Sequence, residues 1–198
     1  MKNSSTNKKV ATAKSTDSFP GQPLSTTVET SDGLLELFTD GIKDMYWAEN
    51  HLVKSLPKMV SAAGAAALQS AFAEHLELTV KHADRLESAF ASLGVKVQAK
   101  KCDSMEGLVM SGEHVIENTI PGSEARDTGL IMSALKVENF EITSYNGLIQ
   151  LATHLGKTDI ADLLNENLSE EMEADKLLTA MSQKNATAAT TVSANDAV

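Results

Sequence analysis

A single cysteine, Cys102, stands in a chain of 198 residues, which excludes an intramolecular disulfide framework and any multi-cysteine zinc site. Aromatic residues make up only 4% of the chain and proline occurs four times, so the sequence is poor in what β-sandwiches and barrels are built from. Bases are outnumbered 17 to 27 by acids, and the resulting charge of −10 is the reverse of a nucleic-acid-binding footprint. No apolar run approaches the roughly 20 residues of a membrane helix. The basic N-terminus lacks the apolar stretch of a secretory signal. Nucleic acid and membrane are therefore not expected partners, and the expected location is the cytoplasm. What the chain does have is 42% hydrophobic residues, rich in Ala and Leu with 8 Met, a composition that favours a helical core. The length suits one sizeable domain.

Three segments follow from composition. In residues 1–31 twelve positions are Ser or Thr and four are Lys, with no apolar pattern, and residues 183–198 are similarly poor in large apolar side chains. Neither segment buries enough surface to offset its ordering entropy, so both are expected to be disordered tails. Residues 32–182 remain as the folded domain, with 12 bases against 24 acids.

Within that domain the apolar residues recur at helical spacing. Leu35, Phe38, Ile42, Met45, Leu52 and Leu56 mark a first helix, with Pro57 expected to kink or tighten its end. Phe72, Leu76, Ala83, Leu86 and Phe90 mark a second, with Gly94 placed to close it. Ile131, Ala134, Tyr145, Leu148 and Ala152 mark a third, and Ile160, Leu164, Leu168 and Leu178 a fourth. Gly64 and Gly156 mark short turns within two helix hairpins. The connection between the hairpins, about residues 94–124, is long enough to cross the length of a bundle. It contains a short helical segment, Ser104 to Asn118, and ends at Pro121-Gly122. The expected fold is all-α, a ferritin-like four-helix bundle of two antiparallel hairpins joined by one long crossover. A shift of 92 positions aligns Glu49 with Glu141, Leu56 with Leu148, Gly64 with Gly156, Glu74 with Glu166, Leu76 with Leu168 and Leu86 with Leu178, which points to an internal duplication.

Acids stand where the helical spacing calls for apolar residues. Glu49 falls between Met45 and Leu52, Glu138 and Glu141 fall between Ala134 and Tyr145, and Glu171 lies on the buried stripe of the fourth helix, with Glu170 beside it. A buried carboxylate must be protonated, paired with a base or bound to a metal, and Lys43, Lys54 and Lys136 fall mainly on outer faces. Measured from turn centres near residues 65 and 157, Glu49 and Glu141 are each 16 residues away, Glu171 and Thr79 are 14, and His82 is 17. At about 1.5 Å per residue these groups lie within ~5 Å of one level. His75, ten residues from its turn, falls about 9 Å below and is the weaker histidine. Carboxylates that can bridge two cations, together with an imidazole, suit a pair of Fe or Mn ions. Tyr46 and Tyr145 are candidates for hydrogen bonds to the ligands or for plain packing. His51, His114 and His154 read as surface residues, the methionines as core filler, and Cys102 has no assigned role.

The stretches LLELFTDGIKDMYWAENHLVKSLPKM, CDSMEGL, KVENFEITSYNGL and LNENLSEEMEADKLL resemble the ferritin-like YciE/YciF family of bacterial stress proteins. The resemblance spans about residues 33–181, with a D-x-Y-x-A-E block, an M-E-G-L crossover and an E-x-x-E-x-x-x-Y block in order. It implies a ferritin-like fold, a homodimer and a dimetal centre with no settled activity. Carried over by position, Glu49 takes the ligand place on the first helix and Glu138 and Glu141 those on the third, while Glu170 and Glu171 match the acidic pair on the fourth. Ferritins and rubrerythrins carry Glu-x-x-His on the second and fourth helices. This chain has Thr79-x-x-His82 and Glu171-x-x-Ala174, so its site is expected to be poorer in ligands.

The leading functional expectation is a stress-response protein with a carboxylate-bridged Fe or Mn pair held by Glu49, His82, Glu138, Glu141, Glu171 and Glu170, acting on peroxide or Fe(II). The alternative is a non-enzymatic, stress-induced interaction or structural protein with a vestigial site. An iron-storage cage ranks third, because it needs assembly into a large hollow shell.

Overall fold

The computed structural model describes residues 31–195, and side chains for residues 32–184. The described residues form five helices: α1 (Ser31–Ala62), α2 (Ala66–Leu93), α3 (Asp103–Asn118), α4 (Glu124–His154) and α5 (Thr158–Asn195). There is no strand among the described residues. The expected N-terminal tail lies almost wholly outside the described residues. At the other end α5 continues to Asn195, past the boundary at 182. The Ala-rich stretch after Asn185 has enough helix propensity to extend a helix already nucleated upstream.

Each element forms for reasons visible in its residues. Phe38, Ile42, Met45, Leu52 and Leu56 place one apolar stripe of α1 inward, and the helix continues past Pro57 to Ala62. Leu68, Phe72, Leu86 and Phe90 do the same for α2, which Gly94 ends in the left-handed conformation at φ 71°. Ser123 caps α4 by accepting from the Arg126 amide at 3.2 Å.

α1 packs along α2 and α4 along α5 as two hairpins, with α2 against α5, α1 against α4, and α3 lying over α4 and α1. The crossover carries the chain from the end of α2 to the opposite end, so the two hairpin turns lie at opposite ends of the molecule. One apolar cluster at the end of the second turn joins Phe38, Phe90, Leu148 and Ile160. Another at the end of the first turn joins Ala63, Leu68, Leu130 and Leu178. A third, with Leu52, Cys102, Met105 and Val137, lies under α3.

Two adjacent residues pin the crossover. Buried Asp127 accepts from the Gly64 and Ala65 amides at 2.7 and 2.8 Å, tying the first turn to the start of α4. Buried Arg126 donates to Thr119 Oγ1 at 3.0 Å and to the Ile116 carbonyl at 2.6 Å, satisfying the end of α3. The junction is tight: a Cβ on Gly64 would meet the Gly122 Cα at 3.0 Å.

Candidate metal centre

Between the two end clusters the interior is ionisable rather than apolar. Glu49 from α1, His75 and His82 from α2, Glu138 and Glu141 from α4 and Glu171 from α5 are all buried. They form two groups. His75, Glu138, Glu141 and Glu171 each present a ligand atom within 4.8 Å of the others, and Glu49, His82 and Glu171 do the same. Glu171 belongs to both groups, so one carboxylate stands between two candidate cation positions. Four Glu and two His are the donor count of di-iron and di-manganese carboxylate centres.

His75 is the residue that sequence reasoning undervalued. Sequence spacing gives each height only relative to its own turn, and placing both turns at one end sets His75 too low. They lie at opposite ends, so His75, ten residues from the first turn, is level with Glu138, nineteen residues from the second. His75 Nε2 lies 3.6 Å from Glu138 Oε1 and 3.8 Å from Glu171 Oε2. The site is elongated along the bundle, and the His75 and His82 ring centres are 6.5 Å apart. The shortfall expected from the two incomplete Glu-x-x-His motifs is thereby made up: Glu138 supplies the carboxylate missing at Thr79, and His75 the imidazole missing at Ala174. Thr79 itself bonds back to the His75 carbonyl at 2.9 Å.

The acids have few protein partners. Both oxygens of Glu141 and of Glu171, one oxygen each of Glu49 and Glu138, both nitrogens of His75 and Nδ1 of His82 have no hydrogen-bond partner. His82 Nδ1 approaches Glu171 Oε1 to 2.7 Å and Glu49 Oε1 to 3.6 Å, without the alignment of a hydrogen bond. Atoms that converge on a point without bonding one another are arranged as ligands are.

Burial governs the electrostatics. It pushes the Glu138 and Glu141 carboxyls well above the ordinary carboxylate range, with repulsion from Glu171 adding to it. Burial also raises Glu49, against the pull of His82. It opposes a charged imidazole at His82, but Glu171 and Glu49 outweigh it and hold that ring up to about 10. The same His82 contact outweighs burial at Glu171 and keeps its carboxyl below the usual value. His75, with less compensation, is lowered by burial.

Glu170 belongs to neither group. It lies 2.8 Å from His82 Nε2 and is clamped by Arg85 at 2.7 and 3.0 Å. The outer nitrogen of His82 thus faces a carboxylate while Nδ1 faces the centre, as in carboxylate–histidine–metal arrangements. Arg85 also donates to Asn167 at 2.9 Å, and Asn167 donates to the Tyr145 hydroxyl at 3.0 Å. Tyr145 in turn donates a short hydrogen bond to Glu49. No spacing rule marks Arg85 or Asn167 in the sequence. Tyr46 bonds Glu87 at 2.6 Å, away from the centre.

Comparison with known proteins agrees with this architecture. Protein YciF of Escherichia coli (strain K12) is 38% identical over 151 residues, covering 76% of this chain and 90% of its own. The crystal structure of the E. coli stress protein YciF superposes with a TM-score of 0.75 at 37% identity, over 78% of this chain and 97% of that one. YcfI from Rhodopseudomonas palustris superposes at 0.72 with 32% identity, over 78% and 96%. Residues 33–191 match a family described as a domain of unknown function, DUF892, and the chain belongs to that family.

Proposed function

We propose that the protein is a ferritin-like four-helix-bundle member of the bacterial stress-protein family whose two buried donor groups, with Glu171 common to both, would hold a pair of Fe or Mn ions. One observation carries this reading: two buried donor groups share a single carboxylate, and most of their ligand atoms have no partner in the protein. Four ionised carboxylates carry a charge that two divalent cations would balance, whereas nearby Arg85 is already committed to Glu170 and Glu166. Oxygen donors with imidazole suit Fe or Mn over thiolate-seeking metals.

His75, Glu138 and Glu141 would hold one ion and Glu49 and His82 the other. When bound, the pair would supply one-electron redox chemistry, with Fe(II) oxidation or peroxide consumption as the reactions to assay. Glu170 and Arg85 would keep the His82 ring oriented, and Tyr145 would hold Glu49. A second reading, a structural role with a vestigial site, is favoured by the similarity to YcfI, a protein proposed to be structural.

Anomalous diffraction at the Mn edge on Mn(II)-loaded crystals tests the choice. The metal reading expects two peaks on either side of Glu171. Featureless maps at saturating Mn(II) would favour the structural role.

A further inference from the structure

An apolar cavity of about 60 Å³ adjoins the His75–Glu138 end of the centre. That is roughly five times the space one water needs and under half that of a cavity that admits benzene. Leu52, Leu56, Phe72, Val109, Ala134 and Leu178 contribute to its walls. Its lining also includes exposed Lys58 and half-buried Glu113, which join α1 to α3 through a 2.6 Å ion pair. Its other polar side chains are Ser55, whose hydroxyl is bonded to its own helix, Ser133, and the two candidate ligands. Polar atoms thus face the cavity mainly at its His75–Glu138 end, and the rest of its wall is apolar.

Two further observations point inward. His75 is 8% exposed and neither of its ring nitrogens has a partner. Ala174, which the internal repeat places opposite His82, also lines the cavity. Where α2 carries an imidazole, α5 carries a methyl group, and the room left beside the centre is apolar.

We infer that this cavity is the chamber in which a small uncharged, apolar molecule, of the size and polarity of dioxygen, meets the metal pair at its His75–Glu138 end. The inference rests on the metal reading above. A charged species would lose its hydration on entering, while a diatomic gas loses almost none. α3 forms the outer wall, so the crossover helix is part of the site.

Xenon is the probe, applied under pressure to crystals of the full-length, metal-free protein. The expected result is an anomalous peak inside the cavity in the wild type, lost in Ala174→Leu and in Ser133→Leu, each of which fills it from a different helix. No xenon in the wild-type cavity, or xenon retained in both variants, overturns the inference. Metal content of the same variants separates the two claims: both are expected to keep wild-type Mn(II) stoichiometry. In Fe(II)-loaded protein, Ala174→Leu is expected to slow reaction with dioxygen, and an unchanged rate would overturn the chamber. Loss of xenon in the variants with no metal bound by any form would reject the metal pair while leaving the apolar cavity in place.

Discussion

Glu141 is fully buried and neither of its carboxylate oxygens has a hydrogen-bond partner, so in the metal-free protein it lowers stability. Each unsatisfied buried polar group costs about 1–3 kcal/mol. Replacing buried ionic groups by apolar side chains of similar volume is often stabilising by about 1–4 kcal/mol. Glu141→Leu keeps the volume and removes the polar atoms. Burial favours the protonated carboxyl, which limits the gain, so about 2 kcal/mol is expected in the presence of a chelator. For a domain of this size that raises Tm by about 4–8 °C. Metal reverses the order. At a hundredfold excess over Kd each filled position adds about 2.7 kcal/mol to the wild type, and the variant forfeits the position that Glu141 lines. The wild type should then exceed the variant by about 0.7 kcal/mol, the roughly 2.7 forfeited less the roughly 2 gained. Thermal unfolding followed by circular dichroism, with EDTA and with excess Mn(II), reads both states. A variant less stable than wild type in EDTA, or equally stabilised by Mn(II), would refute the reasoning.

Arg85→Ala frees Glu170 and lets the His82 ring turn, so metal affinity should fall about 10–100-fold with saturating stoichiometry unchanged, as read by chelator competition. Burial favours the protonated forms of Glu138 and Glu141, and His82 carries a proton up to about 10, so loading both positions near neutral pH should release protons. Apparent affinity should therefore rise with pH and collapse in acid. Calorimetry in buffers of different ionisation enthalpy counts the protons, and none released would contradict the assignment. Asp127→Ala strips the acceptor from two backbone amides at the first turn and should cost about 2–4 kcal/mol in urea unfolding, without changing metal stoichiometry.

Much of this structure was legible because helical periodicity is a local signal. Gly94 and Gly156 fall at helix ends with φ near +70°, and the segment from Ser104 to Asn118 is α3 apart from its first residue. The burial of Glu49, Glu138, Glu141 and Glu171 was legible because flanking apolar residues set the phase of each helix, and an acid on that stripe then stands out. His75 was undervalued for a global reason: its height depends on which end of the molecule each hairpin turn occupies, and only the path of the crossover fixes that. Glu170 reads as a ligand from the sequence because it flanks the buried stripe and, with Glu171, matches the family's acidic pair. A helix turns about 100° between neighbours, and that rotation sends Glu170 to Arg85 and the outer face of His82. The Arg85–Asn167–Tyr145 chain links three helices through contacts that no spacing encodes. The C-terminal boundary differed because low hydrophobicity does not prevent an Ala-rich segment from prolonging a formed helix.

The central claim is that Glu171 bridges two cation positions, and metal content of protein purified without chelator tests it most directly. Mass spectrometry of the wild type and of Glu171→Ala, both confirmed as folded by circular dichroism, supplies the comparison. About two Fe or Mn per chain is expected in the wild type, falling to near none in Glu171→Ala because both donor groups share that residue. Equal metal content in the two proteins, or none in the wild type after anaerobic Fe(II) loading, would contradict it.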